Sequence, residues 1–458
     1  MHPRDVKTVA DARQIVEERE IDYVKIGLHD VDGILRGKYV SRDKFFGILE
    51  KGLAFCDVVL GWDSNDQLYE TEDVTFTGWH TGYPDAPVRV VPESCRDLPF
   101  EQDRTLFFLC EFDGDAAALC PRNVLGRVLE RAGSMGFRAY AALEYEFFLF
   151  NETPDSVREK GYRDLSPLTP GFFGYSVLRN SVHSDLYHDL LQLAQQMDFP
   201  IEGLHTETGP GVWEAAIAVD DASNAADKAA LFKTFTKVWA QRQGLMATFM
   251  AKWSNDYPGQ SGHIHLSLQD VDGQSAFFDA DKPHNMSETH RQFVAGLQTY
   301  MPDLTALYAQ TVNAYSRMVP GFWAPTDATW GVENRTAALR VIEGSAKSQR
   351  VEVRLASADA NPYLALAAAI GSGLRGIEEG LTLSDAVEGN AYEQKHPVEQ
   401  RLPATLDQAA TALRASSTAR ELFGDAFVEH YAASREWESR EFRRHVTDWE
   451  MSRYFEII

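Results

Sequence analysis

The sequence predicts an α+β protein with a small mixed unit at its start and a larger unit behind it. Three observations predict it. At 458 residues the chain has room for about two or three domains, or for one large domain and a small one. Short β-rich runs recur along it, separated by amphipathic helical patterns. The pattern changes character near Pro121, so the small unit is expected over residues 1–112 and the large one over 113–458.

The elements follow in order. Residues 5–20 read as a helix, with Val6, Val9, Ile15 and Val16 set among charges. Two strand-like runs, 23–28 and 34–40, flank the turn signal Asp30-Val31-Asp32-Gly33. Residues 43–51 are helical in pattern, and 88–91 and 106–111 are short β-rich runs. A helix over 121–133 opens with Pro and closes with Gly. Strands are expected at 140–150, 262–268, 337–342 and 350–356, and helices at 227–243, 362–370 and 406–416. Residues 151–176 are rich in Pro, Gly and charge and read as an elaborate loop. No internal repeat or low-complexity segment is present.

Composition narrows the function classes. The 44% hydrophobic and 24% charged fractions are those of a globular chain, not a disordered one. Lys and Arg number 44 and Asp and Glu 68, for a net charge of −24. That argues against a nucleic-acid-binding surface, while a local arginine cluster leaves ATP open. Cys56, Cys95, Cys110 and Cys120 show no disulfide framework or zinc-ribbon spacing. The N-terminus lacks the apolar core of a signal peptide, and no apolar run reaches the ~18 residues of a membrane span. A soluble, cytoplasmic protein with no nucleic-acid or membrane partner is expected.

Chemistry-bearing residues sit on short strands, where side chains alternate between faces. Glu144 and Glu146 share one face of an apolar, aromatic run. Such a pair is either solvated on an edge strand or holds a cation. His263 and His265 repeat the geometry with imidazoles, though a structural histidine pair reads the same way. Arg350, Glu352 and Arg354 share a face with valines behind them, which also fits a charged ladder on a half-exposed sheet. Between His205 and Glu214, Glu207 and Glu214 flank a Gly-Pro-Gly turn that could bring both acids to one point. Together Glu144, Glu146, Glu207, Glu214, Glu352 and His263 form an oxygen-rich set suited to Mg²⁺ or Mn²⁺. Arg317, Arg335, Arg340, Arg350 and Arg354 could bind phosphate or carboxylate. Acids for metal and arginines for anions imply phosphoryl transfer. The GxGxxG match at Gly371, Gly373 and Gly376 follows a helical stretch rather than a strand, so it reads as helix packing, not a dinucleotide site.

These motifs resemble the glutamine synthetase family. The resemblance is carried by residues 143–150, by Glu207 and Glu214 around Gly-Pro-Gly, and by His263-Ile264-His265. It continues through 313–321, Asn334-Arg335-Thr336, Arg340, 350–354 and Asn361-Pro362-Tyr363. It implies an N-terminal β-grasp domain and a catalytic domain with a curved antiparallel sheet. It implies homo-oligomers, often dodecamers of two stacked hexamers with active sites between subunits. By the same resemblance Glu146, Glu207 and Glu214 look like ligands of one metal ion, and Glu144, His263 and Glu352 of another. Arg317 and Arg354 look like the clamp on L-glutamate, and Arg335 and Arg340 like the phosphate-facing pair. Arg317, Arg335 and Arg340 are thus the expected catalytic arginines. His265, Ser267, Arg335 and Arg350 lie toward the nucleotide, ATP.

The departures from the family pattern concern the acceptor. Trp323 stands where relatives that use ammonia usually carry a Glu, and Phe172 where they carry a Tyr. The acidic loop from the neighbouring subunit is rewritten as Phe55-Cys56-Asp57-Val58-Val59, with Cys56 or Asp57 at the usual Asp. Trp323, Phe172, Cys56 and Asp57 are the expected amine pocket. The resemblance therefore points to the branch that includes γ-glutamylisopropylamide and γ-glutamylpolyamine synthetases. The expected activity is ligation of glutamate to a small apolar amine through γ-glutamyl phosphate. The alternatives are a polyamine or ethanolamine acceptor, ammonia, and a non-catalytic structural or regulatory role. Tyr392 lies where some relatives are nucleotidylated, and an exposed loop tyrosine explains it as well.

Overall fold

A computed structural model describes residues 1–70, 74, 76–101 and 105–458. The first sheet holds β1 (Tyr23–His29), β2 (Leu35–Ser41), β3 (Leu53–Cys56), β4 (Asp85–Val90), β5 (Arg96–Asp97) and β6 (Leu106–Phe112). Its order is β2-β1-β6-β4-β3, with β5 also on β6, and β1 and β6 run parallel. The helix Arg42–Lys51 packs on β1, β2 and β4, which gives the expected β-grasp arrangement.

The second sheet holds β7 (Arg138–Phe150), β8 (Ile201–Thr206), β9 (Val212–Ile217), β10 (Asp220–Asp221), β11 (Met246–Thr248), β12 (Gly262–Gln269), β13 (Trp330–Val332), β14 (Leu339–Ile342) and β15 (Arg350–Val353). Its order is β13-β14-β15-β12-β7-β9-β8, with β10 and β11 on β7. All pairs are antiparallel except β13 with β14.

β7 is central because its two faces differ. Ala139, Ala141, Leu143, Tyr145 and Phe147 are buried, and Tyr145 and Phe147 meet Phe232 of the helix Ala222–Arg242. The intervening residues, Glu144 and Glu146 among them, face the other way. One hydrophobic core runs through both sheets and their helices. The β1–β2 turn is tied into the large unit by buried polar contacts. Asn361 Nδ2 donates to Val31 O at 3.0 Å, and Arg435 Nη2 donates to Asp32 Oδ1 at 2.6 Å.

Several expectations need correction. The first helix begins at Val9, because Thr8 and Asp11 cap each other reciprocally, and Val9 faces solvent. The stretch 151–176 is not all loop: Thr153 and Ser156 form a capping box that starts a helix at Pro154–Glu159. The helix expected over 362–370 continues to Glu379 straight through the three glycines. The last two expected strands are shorter, Leu339–Ile342 and Arg350–Val353. β8, β9 and the long helices Glu288–Tyr308 and Asp425–Arg443 lie outside the elements expected from sequence.

Candidate active site

Strand register lines the charged residues up across the second sheet. Glu146 of β7 pairs with Glu214 of β9, which pairs in turn with His205 of β8. Glu144 pairs with His263 of β12. His265 pairs with Glu352 of β15, and Glu352 with Arg340 of β14. These rows surround a cavity of about 380 Å³.

Two clusters inside it have metal-binding geometry. The donor atoms of Glu144, His263 and Glu352 lie within 4.8 Å of one another, and so do those of His205, Glu207 and Glu214. His263 Nδ1 is 3.5 Å from Glu352 Oε1 and 3.7 Å from Glu144 Oε2. His205 Nε2 is 3.3 Å from Glu207 Oε1 and 3.6 Å from Glu214 Oε1. The second trio differs from the expected one. His205 takes part, while Glu146 stands one strand away and accepts the Ser261 N–H at 2.6 Å. His205 has no role expected from the sequence; its signal is the period-2 spacing from Glu207.

The electrostatics follow from crowding. Burial pushes the Glu214 carboxyl up to about 9, and Glu146, Glu144, Glu207 and Glu352 add to it. Burial likewise raises Glu146, against the pull of His263 and Arg317. Glu352 is buried too, yet His263 and Arg354 outweigh burial and hold it at about 2. Although burial pushes Glu144 up, the neighbouring imidazoles of His263 and His265 hold it well below the usual carboxylate range. Several carboxylates forced together in an apolar shell are the donor set a hard divalent cation stabilises. Nδ1 of His263, facing Glu144 and Glu352, fits the same reading.

The arginines divide into two groups. Arg335, Arg340 and Arg354 line the cavity. Arg340 Nη1 donates to Glu352 Oε2 at 3.0 Å, and Arg354 donates to Glu352 Oε1. Arg317 does not line it. This guanidinium is fully buried and donates to Leu355 O at 2.8 Å, and to Arg354 O and Ser261 Oγ at 3.0 Å. Arg350, His265 and Ser267 line an adjoining pocket of about 280 Å³ that shares Glu144 with the main cavity. There Arg350 Nε donates to His265 Nδ1 at 3.2 Å.

Of the expected amine pocket, the structure brings only Trp323 to the cavity, together with Phe322. Both sit on a flap where Gly321 takes φ +85° and Trp323 φ +61°. A left-handed backbone at a bulky residue costs on the order of 1–2 kcal/mol. Phe172 lies off the cavity, 5.6 Å ring to ring from Tyr257. The aromatic residue this loop delivers is Tyr175, stacked on His205 at 4.3 Å. Cys56 and Asp57 belong to the first sheet's surroundings and do not reach this chain's cavity. Cys56 Sγ points to Tyr83 O at 3.5 Å, and buried Asp57 accepts the Thr77 hydroxyl at 2.7 Å. Tyr392 is not an exposed tyrosine: it is half-buried, with its hydroxyl out of solvent.

Residues 118–454 match the family described as glutamine synthetase, catalytic domain. The chain belongs to the glutamine synthetase family. A type-1 glutamine synthetase 2 of Dictyostelium discoideum is 43% identical over 442 residues, covering 95% of this chain and 84% of that protein. A glutamate–isopropylamine ligase of Pseudomonas sp is 36% identical over 463 residues, the full length of both. Among solved structures, a GmaS/ADP complex superposes with a TM-score of 0.85 at 26% identity, covering 97% of this chain and 99% of that one. As a glutamine synthetase family member, the protein is an ATP-dependent carbon–nitrogen ligase acting on small molecules. Enzymes of the family use ATP and divalent metal ions and are typically oligomeric. Among the described residues no helix is long and apolar enough to cross a membrane.

Proposed function

We propose that this ligase joins the γ-carboxylate of L-glutamate to a small apolar primary amine, an alkyl- or arylamine such as isopropylamine. The observation that carries the reading is Trp323 at the cavity wall with Phe322 beside it. An indole N–H is a donor only and takes no proton from an ammonium ion. The ring instead covers apolar carbon, worth about 25 cal/mol per Å². The Pseudomonas ligase, similar over its whole length, supports the same choice.

The residues fit two or more Mg²⁺ or Mn²⁺ ions. Glu144, His263 and Glu352 would hold one, and Glu207 and Glu214 with Glu146 or His205 another. Bound there, the ions would neutralise phosphate charge. ATP would lie in the pocket of His265, Ser267 and Arg350, which opens on the cavity at Glu144. Arg354 would grip the glutamate, with Arg317 bracing it from below through its carbonyl. Arg335 and Arg340 would hold the oxygens of the transferring phosphoryl group. A γ-carboxylate oxygen attacks the γ-phosphorus and ADP leaves. The amine nitrogen then attacks the acyl carbon, phosphate leaves, and the nitrogen gives up a proton.

We read the domain boundary after Phe112, where β6 ends, giving domains 1–112 and 113–458. We also propose a cytoplasmic homo-oligomer, a dodecamer of two stacked hexamers, in which Cys56 and Asp57 close the neighbour's cavity. Their absence from this chain's own cavity supports that arrangement, and four free cysteines fit a reducing compartment.

Ammonia as acceptor is the second reading. Tyr175 favours it, because its phenol beside Glu207 keeps a polar corner in the pocket. The resemblance to the Dictyostelium synthetase favours it too. Competition between ammonium and a panel of primary amines separates the two. Wild type should prefer a three-carbon amine by roughly 10- to 200-fold in kcat/KM. Trp323→Glu should shift the ratio toward ammonium and lower alkylamine turnover. Equal use of ammonium and every organic amine by wild type would establish the second reading.

A further inference from the structure

A second cavity lies behind β7, on the face opposite the acids. It measures about 460 Å³ and opens between the β1–β2 turn and the helix Ala222–Arg242. Lys233 and Lys237 project into it from that helix, and Lys233 Nζ sits 5.6 Å from the Tyr145 ring centroid.

Its charges are unevenly matched. Three acids line it, and each already has donors. Asp32 accepts from Arg435 at 2.6 Å. Glu438 accepts the Val312 N–H at 3.1 Å and lies 3.6 Å from Arg435 Nη1. Asp359 accepts the hydroxyls of Thr311, at 2.7 Å, and Ser357. Asp359, held only by neutral hydroxyls, attracts both lysines from farther off, and of the two Lys233 is half-buried and Lys237 exposed. Lys233 Nζ donates to Ala360 O at 2.8 Å, and Lys237 Nζ lies 5.7 Å from the Phe249 ring centroid. Among the described residues neither has a carboxylate oxygen within 4.0 Å. Two cations four residues apart on a helix repel. Burial and Lys237 together lower the Lys233 ammonium to about 7, against the pull of Asp359. Thr248 adds a neutral hydroxyl, whose oxygen accepts the Met250 N–H at 3.1 Å.

We propose that this cavity binds a small metabolite bearing phosphate or carboxylate oxygens, held by Lys233 and Lys237 with Thr248 beside them. An oxyanion between the two ammonium groups turns a repulsive pair into two charge-assisted hydrogen bonds. Binding to the folded chain alone should stabilise it by mass action. The inference is independent of which amine the enzyme uses.

Calorimetry and thermal melts of the full chain test it, with inorganic phosphate and with glutarate as probes. Both probes also suit the catalytic cavity, so the parent chain carries Arg335→Ala and Arg354→Ala, which remove arginines of that cavity. That parent should bind at least one probe and melt at higher temperature with it. Adding Lys237→Met or Lys237→Gln should weaken binding about tenfold or more, while Lys237→Arg retains it. Binding of phosphate alone assigns the site to phosphate esters, and binding of glutarate alone to carboxylates. A parent that binds neither probe, or neutral Lys237 variants that bind like the parent, would overturn the proposal.

Discussion

Arg354 shows how one side chain can be prepared for a substrate. One end of its guanidinium donates to Glu352, its backbone carbonyl is held by Arg317, and its Nε is buried without a partner. A planar fork with one edge engaged and another open suits a carboxylate. Lysine keeps the charge but has no fork. Arg354→Lys should therefore lower kcat/KM for glutamate by roughly 10- to 100-fold, at any amine concentration. Glutamate titrations at saturating amine check this, and near-normal kinetics would remove Arg354 from the site. Arg317 has a different character. All its assigned hydrogen bonds go to the protein, so it sets the position of Arg354 and Ser261 from beneath the cavity.

At the scale of elements, the helices Glu288–Tyr308 and Pro362–Glu379 cross at glycines. A methyl placed on Gly376 would lie 2.6 Å from Gly296 Cα, and one on Gly296 would meet the Ser372 carbonyl. Backbone cannot move aside as a side-chain tip can, so Gly296→Ala should destabilise by about 1–3 kcal/mol. Gly47, in the helix Arg42–Lys51, has open space around it. There alanine should be neutral or stabilising by up to about 1 kcal/mol, because it restricts the unfolded chain. Denaturation curves of the two variants measure the contrast, and equal effects would mean that the helices move apart at the crossing without cost.

At the scale of the whole molecule, buried titratable groups make stability depend on pH in two opposed ways. Burial lowers His29 and His430 to about 4 and His290 to about 3, from an ordinary 6.5. The unfolded chain then binds protons that the folded chain refuses, so this stability is present above about 6.5 and is lost as pH falls. Burial raises Asp30 and Glu438 to about 7. Their contribution is greatest at low pH and is lost as pH rises toward 7. A single replacement separates the two. His290 stacks on Phe277 at 4.3 Å, so His290→Gln should lower the melting temperature at pH 7.5. The gap from wild type should narrow as pH falls from 6.5 toward 4, since glutamine has no proton to gain. A gap that stays constant across that window would show that His290 titrates normally.

The sequence by itself determined which residues share a face. Strand alternation is a local property, so Glu144 with Glu146, His263 with His265, and Glu352 with Arg354 could be paired before any fold was known. The helical setting of Gly371, Gly373 and Gly376 was legible for the same reason. Tertiary structure decided what each face meets. Register between distant strands placed Glu144 against His263 and brought His205 to Glu207 and Glu214 across a β8–β9 pairing that carries an irregularity between Ile201 and Gly203. Packing beneath the sheet buried Arg317, although its sequence neighbourhood resembles a substrate clamp. The path of residues 151–176 sent Tyr175, not Phe172, into the cavity, because a loop follows long-range contacts rather than a local period. The lysine pair behind β7 reads in sequence as one turn of an ordinary helix; only the fold, by setting that turn against the β1–β2 hairpin, makes it the wall of a cavity.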